Sequence, residues 1–283
     1  VYSDDPWAFG RLDSIWIEYS PPLADEVLGE ICVQGDPEPE GGAVKVEAGK
    51  DTTFVYAIRG SFKFGQAGFD AVRIVTPTRP EFMGLWMGKP LRRVEPDSLF
   101  EGDGYLDVYL PDRVTRDDRP VKIAFRTAVL AYGTRFLGSV WNRGRKDLLP
   151  QSISPGDAVG DIGTNQLQVF VTKASLKVLT DVSTNPEIIT PNGDGSDDEV
   201  TLTYTLSLVV GGAEVEVGVY DVRGRKVREL EKVTEGSTYK RKVRWDGRDD
   251  DGSLVLPGVY LLKVRVKTDK GEFTKVRPVA VVY

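Results

Sequence analysis

The residues of this 283-residue chain whose types and spacing could do chemistry lie in one short stretch, TPNGDGSDDE at 190–199. Asn192, Asp194, Ser196 and Asp198 offer an oxygen at every second position, with Asp197 and Glu199 as alternates and two glycines that let the backbone turn tightly. Oxygen donors on such a backbone suit a hard cation, so calcium is the expected cofactor and these four residues its expected ligands. Gly195 falls too early for an EF-hand, and no helical spacing flanks the stretch. A strand follows instead, because VTLTYTL at 200–206 alternates apolar and polar residues. The same residues also read as an acidic turn whose Asn and Asp side chains cap nearby backbone groups. Both readings stand at this point.

Other acidic groups are weaker candidates for an ion: the loop DGRDDD at 246–251, the turn holding Glu101, Asp103 and Asp107, and the pair Asp157 and Asp161. Turns need Asp and Gly for purely local reasons, so each also reads as a plain turn. The chain has no histidine. That removes the Ser-His-Asp and Cys-His nucleophile systems, nearly every zinc, copper or non-haem iron site, and the usual near-neutral proton shuttle. A glycosidase would need two facing carboxylates in a cleft, which 43 acidic residues cannot single out. Ser-Lys catalysis would need a Ser-x-x-Lys at the start of a helix, and the stretch from Ser61 fails because position 64 is Phe64. The expectation is a protein that is not an enzyme. Trp86, Trp141 and Tyr132 lie near expected loops and could stack on sugar rings, or simply pack the fold.

The elements that must position these residues are strands. No window carries convincing helical spacing, whereas short alternating runs separated by Gly, Pro and Asp clusters recur throughout. Strands are expected at 14–19, 27–33, 44–47, 53–59, 71–76, 105–110, 121–130, 135–141 and 166–172. A second series is expected at 199–208, 213–220, 227–231, 237–245, 258–266 and 273–282. The run at 121–130 alternates and then turns continuously apolar, as a central strand buried on both faces would. The fold class is therefore all-β, two β-sandwich domains at residues 1–180 and 181–283, the second Ig-like. Two stretches read as long loops. One spans 149–161; the other spans 77–100 and holds the apolar run FMGLWM, either an end plug or an exposed contact patch.

Charge and composition narrow the partners. Lys and Arg number 37 against 43 Asp and Glu, a net charge of −6, and the basic residues are scattered. That argues against nucleic acid and against an anionic membrane surface. No apolar run approaches the ~20 residues of a membrane helix, so direct membrane insertion is not expected. The lone Cys32 sits in an apolar strand and reads as an inert core thiol. A start at Val1 reads as a mature secreted protein whose signal peptide has been removed. The expected location is secreted, extracellular or at the cell surface.

Three segments of the last third form a pattern: TPNGDGSDDE at 190–199, the hairpin VYDVRGRKVR at 219–228, and WDGRDDDG at 245–252 followed by PGVY at 257–260. From about Pro186 to Tyr283 the chain resembles the immunoglobulin-like domain of flagellar hook-capping proteins. It also resembles related C-terminal domains of secreted bacterial proteins, including sorting domains of the type IX secretion route. The resemblance implies fold more than function, since one fold hosts many roles. Together with the exclusions it implies a bacterial, non-catalytic extracellular structural protein: a self-assembling surface, appendage or filament subunit. Its partners would be further copies of itself, as a homopolymer, or other envelope proteins, with the aromatic stretch 1–10 as a segment inserted into a neighbour. The alternative is a carbohydrate- or protein-binding accessory module, for which a glycan would be the partner. A third reading is a secreted cargo whose last domain is the sorting signal.

Overall fold

The computed structural model describes residues 19–172, 177–269 and 271–283. The stretch 1–10 and all but the last residue of the strand expected at 14–19 lie outside them. Apart from a 3-10 turn at Glu40–Gly42, the regular structure among the described residues is all β.

The first series runs β1 (Glu26–Val33), β2 (Val44–Val46), β3 (Asp51–Ser61), β4 (Phe69–Val75), β5 (Glu81–Met87), β6 (Arg92–Val94) and β7 (Ser98–Gly102). It continues with β8 (Tyr105–Val114), β9 (Val121–Ala128), β10 (Gly133–Arg135), β11 (Gly138–Trp141), β12 (Gln151–Ser152), β13 (Ser154–Pro155) and β14 (Gln168–Val171). One sheet has the order β13-β1-β3-β9-β5-β6, its partner β12-β11-β4-β8-β7, and a small third sheet β10-β14-β2. Alternation decides which residues face inward. Phe54, Tyr56 and Ile58 on β3, and Val121, Ile123 and Phe125 on β9, point into one core shared with Val72, Ile74, Leu106 and Val108 of the opposite sheet. At its centre the rings of Phe54 and Phe136 lie 5.1 Å apart, and those of Phe125 and Phe136 5.9 Å.

The end of β9 is covered on both sides as expected, with Thr127, Ala128 and Val129 buried. The stretch 77–100 is different. It is not a loop but three strands, with β5 paired between β9 and β6 and β7 on the edge of the opposite sheet. A bulge between Phe82 and Gly84 breaks the alternation, so Phe82 and then Leu85 and Met87 pack inward at a spacing that no period-two reading detects. The apolar run is neither an end plug nor a loop patch.

The second series runs β15 (Leu179–Asn185), β16 (Ile188–Ile189), β17 (Val200–Leu206), β18 (Ala213–Asp221), β19 (Lys226–Glu235), β20 (Thr238–Trp245), β21 (Gly258–Thr268) and β22 (Gly271–Val281). It forms two sheets, β15-β17-β20 and β16-β22-β21-β18-β19, around a second core. Trp245 anchors that core. It is 1% exposed, meets Tyr260 edge-on at 5.4 Å, and donates its indole N–H to the Arg248 carbonyl at 2.8 Å. The protein is thus an all-β structure of sandwiched sheets.

The long loop around 149–161 has an organiser that its own sequence does not reveal. Glu30, fully buried on β1, accepts the N–H groups of Ala158 and Val159, both at 3.0 Å, and of Asn165 at 3.1 Å. The Thr164 hydroxyl adds a bond to the Ile31 carbonyl at 2.9 Å. Held there, Ala158, Val159 and Ile162 roof Cys32 and Ala57 on the outer face of the sheet. Burial pushes the Cys32 thiol up to about 11, so it stays protonated and inert.

Candidate functional site

The turn at 190–199 lies between β16 and β17. Its side-chain oxygens serve the backbone first. Asn192 Oδ1 accepts the Asp194 N–H at 2.9 Å, Asp194 Oδ1 accepts the Ser196 N–H at 2.8 Å, and the two oxygens of Asp198 accept the Gly193 and Gly195 N–H groups, each at 2.7 Å. The Asn192 amide also donates to Asp194 Oδ2 at 3.0 Å. The backbone bond from Ser196, then the bond from Asn192, hold the Asp194 carboxyl below the usual carboxylate range. Gly193 and Gly195 take φ of 83° and 86°, and Asp197 takes 51°.

Asn192, Asp194 and Asp198 are therefore drawn together by their own turn. Ser196 joins through its backbone. An ionised carboxylate has several lone pairs, so one backbone bond per oxygen leaves capacity for an ion. Only two carboxylates belong to the set, however, and among the described residues no group of three or more acidic, Cys or His side chains is placed to hold a metal. Oxygen chemistry fits calcium here, but with low ligand charge.

The other acidic groups do not converge. At 246–252, Asp249 Oδ1 caps the N–H groups of Asp251 and Ser253 at 3.1 and 2.8 Å. Asp246 pairs with Arg228 at 2.5 Å, and Asp250 accepts the Glu229 N–H at 3.0 Å. This loop clasps the β18–β19 hairpin, whose own turn is closed by Asp221 accepting the Arg223 and Arg225 N–H groups. Glu101 accepts the Phe82 N–H at 2.7 Å, Asp107 grips Arg73, and Asp161 pairs with Lys122 at 2.6 Å.

Nor do Trp86, Trp141 and Tyr132 share a platform, since Trp86 stands on β5 and Trp141 on β11 of the opposite sheet. A different group forms there. Neighbours on β4, β7, β8 and β11, with Arg143 just after β11, build a ladder of rings and guanidinium groups. Phe100 stacks on Tyr105 at 5.8 Å, and Arg73 lies 4.5 Å from the Tyr105 ring and 6.0 Å from Trp141. Trp141 meets Tyr109 edge-on at 5.8 Å, and Arg143 caps Tyr109 at 5.6 Å. Two buried carboxylates fix the cations: Asp107 binds Arg73 through both oxygens at 2.7 and 2.6 Å, while Asp70 holds Arg113 and accepts the Arg143 N–H. The ladder joins residues 73, 105 and 141, which only strand pairing makes neighbours.

The join between the sandwiches is bonded on several sides. The Leu208 N–H donates to the Leu130 carbonyl at 2.7 Å, and the Leu208 side chain enters the first core. Asp51, at the start of β3, accepts hydrogen bonds from Tyr239 and from Lys240, the latter at 3.2 Å. Gly49 takes φ of 74° and lies so close that an added Cβ would stand 3.0 Å from Ser207 Oγ and 3.2 Å from Thr180 Oγ1. None of these contacts carried a sequence signal.

No family model matches the chain. A stretch is 36% identical over 91 residues to the C5a peptidases of Streptococcus pyogenes, covering 27% of this chain and 8% of the relative. The chain thus spans less than a tenth of the length of the curated relatives it matches. Among solved structures, the latent dimeric PorU of Porphyromonas gingivalis is 12% identical, with 90% of this chain and 34% of that one covered at a TM-score of 0.33. A C-terminal fragment of the major pilin GBS80 of Streptococcus agalactiae is 9% identical, with 89% and 91% covered at a TM-score of 0.33. The major pilin BcpA of Bacillus cereus is 9% identical, with 90% and 66% covered at 0.32. TM-scores at this level identify neither a fold family nor a function.

Proposed function

We propose that this chain is a non-catalytic structural element of an extracellular assembly, a surface, appendage or filament subunit whose two sandwiches, residues 1–180 and an Ig-like 181–283, act as one stiff body. The supporting observation is the join. A backbone bond, a side chain crossing into the other core and a carboxylate gripped by two residues tie the halves together. A part that transmits load gains from such a join, whereas sandwiches linked only by a flexible segment would not.

Assembly with further copies of the chain, or with other envelope proteins, would use a sheet edge. Two edges differ in kind. β19 reads KVRELEKVTE, and its charges guard it against pairing. β7 is short and, among the described residues, pairs only with β8; Leu99 and Phe100 on it are 39% and 55% exposed. We assign β7 as the contact edge. Calcium belongs to the same proposal as a weak ligand of Asn192, Asp194, Ser196 and Asp198.

Negative-stain microscopy with light scattering on the purified protein tests the reading. Ordered filaments or sheets support it, and a monodisperse monomer at every concentration counts against it. The second reading, a glycan-binding accessory module, draws on the ladder from Phe100 to Arg143. A glycan array on which Trp141→Ala abolishes a signal would favour it over the first.

A further inference from the structure

A cleft of about 900 Å³ opens at the join, with walls from both sandwiches. The first contributes the turn before β3, including Glu47, Lys50 and Asp51; the second contributes β15, the start of β20, and Lys275 and Arg277 of β22. Five basic and three acidic side chains face it, in a protein whose net charge is negative. Two of the acids are already engaged, Glu47 with Lys50 at 3.4 Å and Asp51 with Lys240 at 3.2 Å. That leaves Lys177, Lys275 and Arg277 opposed only by Asp181.

Neither Lys177 nor Lys275 makes an ion pair among the described residues, although acidic side chains outnumber basic ones in the chain. Arg277 is held in place by its neighbours, with Nε donating to the Val182 carbonyl at 2.6 Å and Nη1 to the Val276 carbonyl at 2.9 Å. Its Nη2 has no protein partner among the described residues. Thr180 Oγ1, on the β15 wall, is buried without a hydrogen-bond partner. Like charges gathered in a concave setting reinforce one another's field and raise the local concentration of counter-ions. A planar guanidinium flanked by ammonium groups suits oxyanions with several charged oxygens.

We infer that this cleft binds a polyvalent oxyanion, bearing phosphate or carboxylate groups, that spans the two sandwiches. Lys177, Lys275 and Arg277 are its anchors, and Lys50 of the first sandwich and Lys240, paired with Asp51, line the same opening. Binding adds a bridge across the join beyond the contacts already described, and it does not depend on the chain being a filament subunit.

The test is calorimetric titration of the whole chain with inorganic tripolyphosphate and, separately, citrate. At least one should bind one-to-one, weaken on raising salt, and raise the unfolding temperature. The probe that binds more tightly tells a phosphate-bearing ligand from a carboxylate-bearing one. The double variant Lys177→Ala/Lys275→Ala should lose at least about ten-fold in affinity while its unliganded unfolding temperature stays at the parent value, because neither lysine has a structural partner. If neither probe binds, or if the double variant binds as the parent does, the inference fails.

Discussion

The Glu30 carboxylate accepts the Val159 backbone N–H at 3.0 Å, across 129 residues of sequence. With Ala158 and Asn165 it forms a three-point clamp on a loop that has almost no regular structure of its own. Removing the acceptor strands buried donors, and each costs about 1–3 kcal/mol. Glu30→Ala should therefore destabilise the protein by about 3 kcal/mol or more. Glu30→Gln, which keeps one carbonyl oxygen, should fall between. Urea unfolding checks this, and a parent-like midpoint for Glu30→Ala would show that the loop holds itself.

Gly49 tests the stiffness of the join. A side chain there must adopt a left-handed backbone, at about 1–2 kcal/mol, and press its Cβ against Ser207, Thr205 and Thr180. Gly49→Ala should loosen the join before it unfolds either core. Scanning calorimetry of the parent should show one transition, and that of Gly49→Ala two. One sharp transition in both would mean that the sandwiches are coupled elsewhere.

Asp51 links the join to pH. Burial alone would raise its pKa, but the hydrogen bonds from Tyr239 and Lys240, with the charges of Lys240 and Arg126, outweigh burial and hold it below the usual value. A carboxylate depressed in the folded state stabilises it fully above its unfolded pKa of about 3.9, and that contribution is lost as pH falls through the folded value. The join should open at acid pH below about 4, seen as a rise in the radius of gyration by X-ray scattering. Asp51→Asn should remove this step; an identical profile in the variant would exclude Asp51 as its source.

Calcium should bind weakly at the 190–199 turn. Low ligand charge places extracellular modules at dissociation constants of about 0.1–1 mM, and an ion at ten times its dissociation constant stabilises by about 1.4 kcal/mol. Millimolar calcium should raise the unfolding temperature by a few degrees, and Asp194→Ala with Asp198→Ala should abolish the rise. Asp198→Ala should also destabilise the metal-free protein, because it uncaps Gly193 and Gly195. No calcium effect on the parent would leave the turn as a backbone cap alone.

The β7 edge predicts where assembly can be blocked. Leu99→Lys with Phe100→Lys places charges on an edge that pairs with β8 alone among the described residues. Assemblies seen by microscopy should disappear while circular dichroism stays unchanged, because both side chains are exposed. Persistent assemblies would move the contact to another edge.

The sequence by itself determined the all-β class, because strand alternation and turn residues act locally. The hairpin turn within VYDVRGRKVR at 219–228, where Gly224 takes φ of 83°, followed from local pattern in the same way. So did the acidic turn, whose Asn and Asp bond their own neighbours, although the choice between cap and calcium site did not. The identity of β5 required the tertiary structure, because a bulge hid its period. The ladder of Arg73, Tyr105 and Trp141 depended on the register of β4, β8 and β11, which no single segment encodes. The clamp of Glu30 on Val159, the grip of Asp51 on Tyr239 and Lys240, and the cations at the join are contacts between residues separated by up to 189 positions. Such groups look like ordinary polar residues until the chain closes around them, since burial and partner are properties of the packed fold alone.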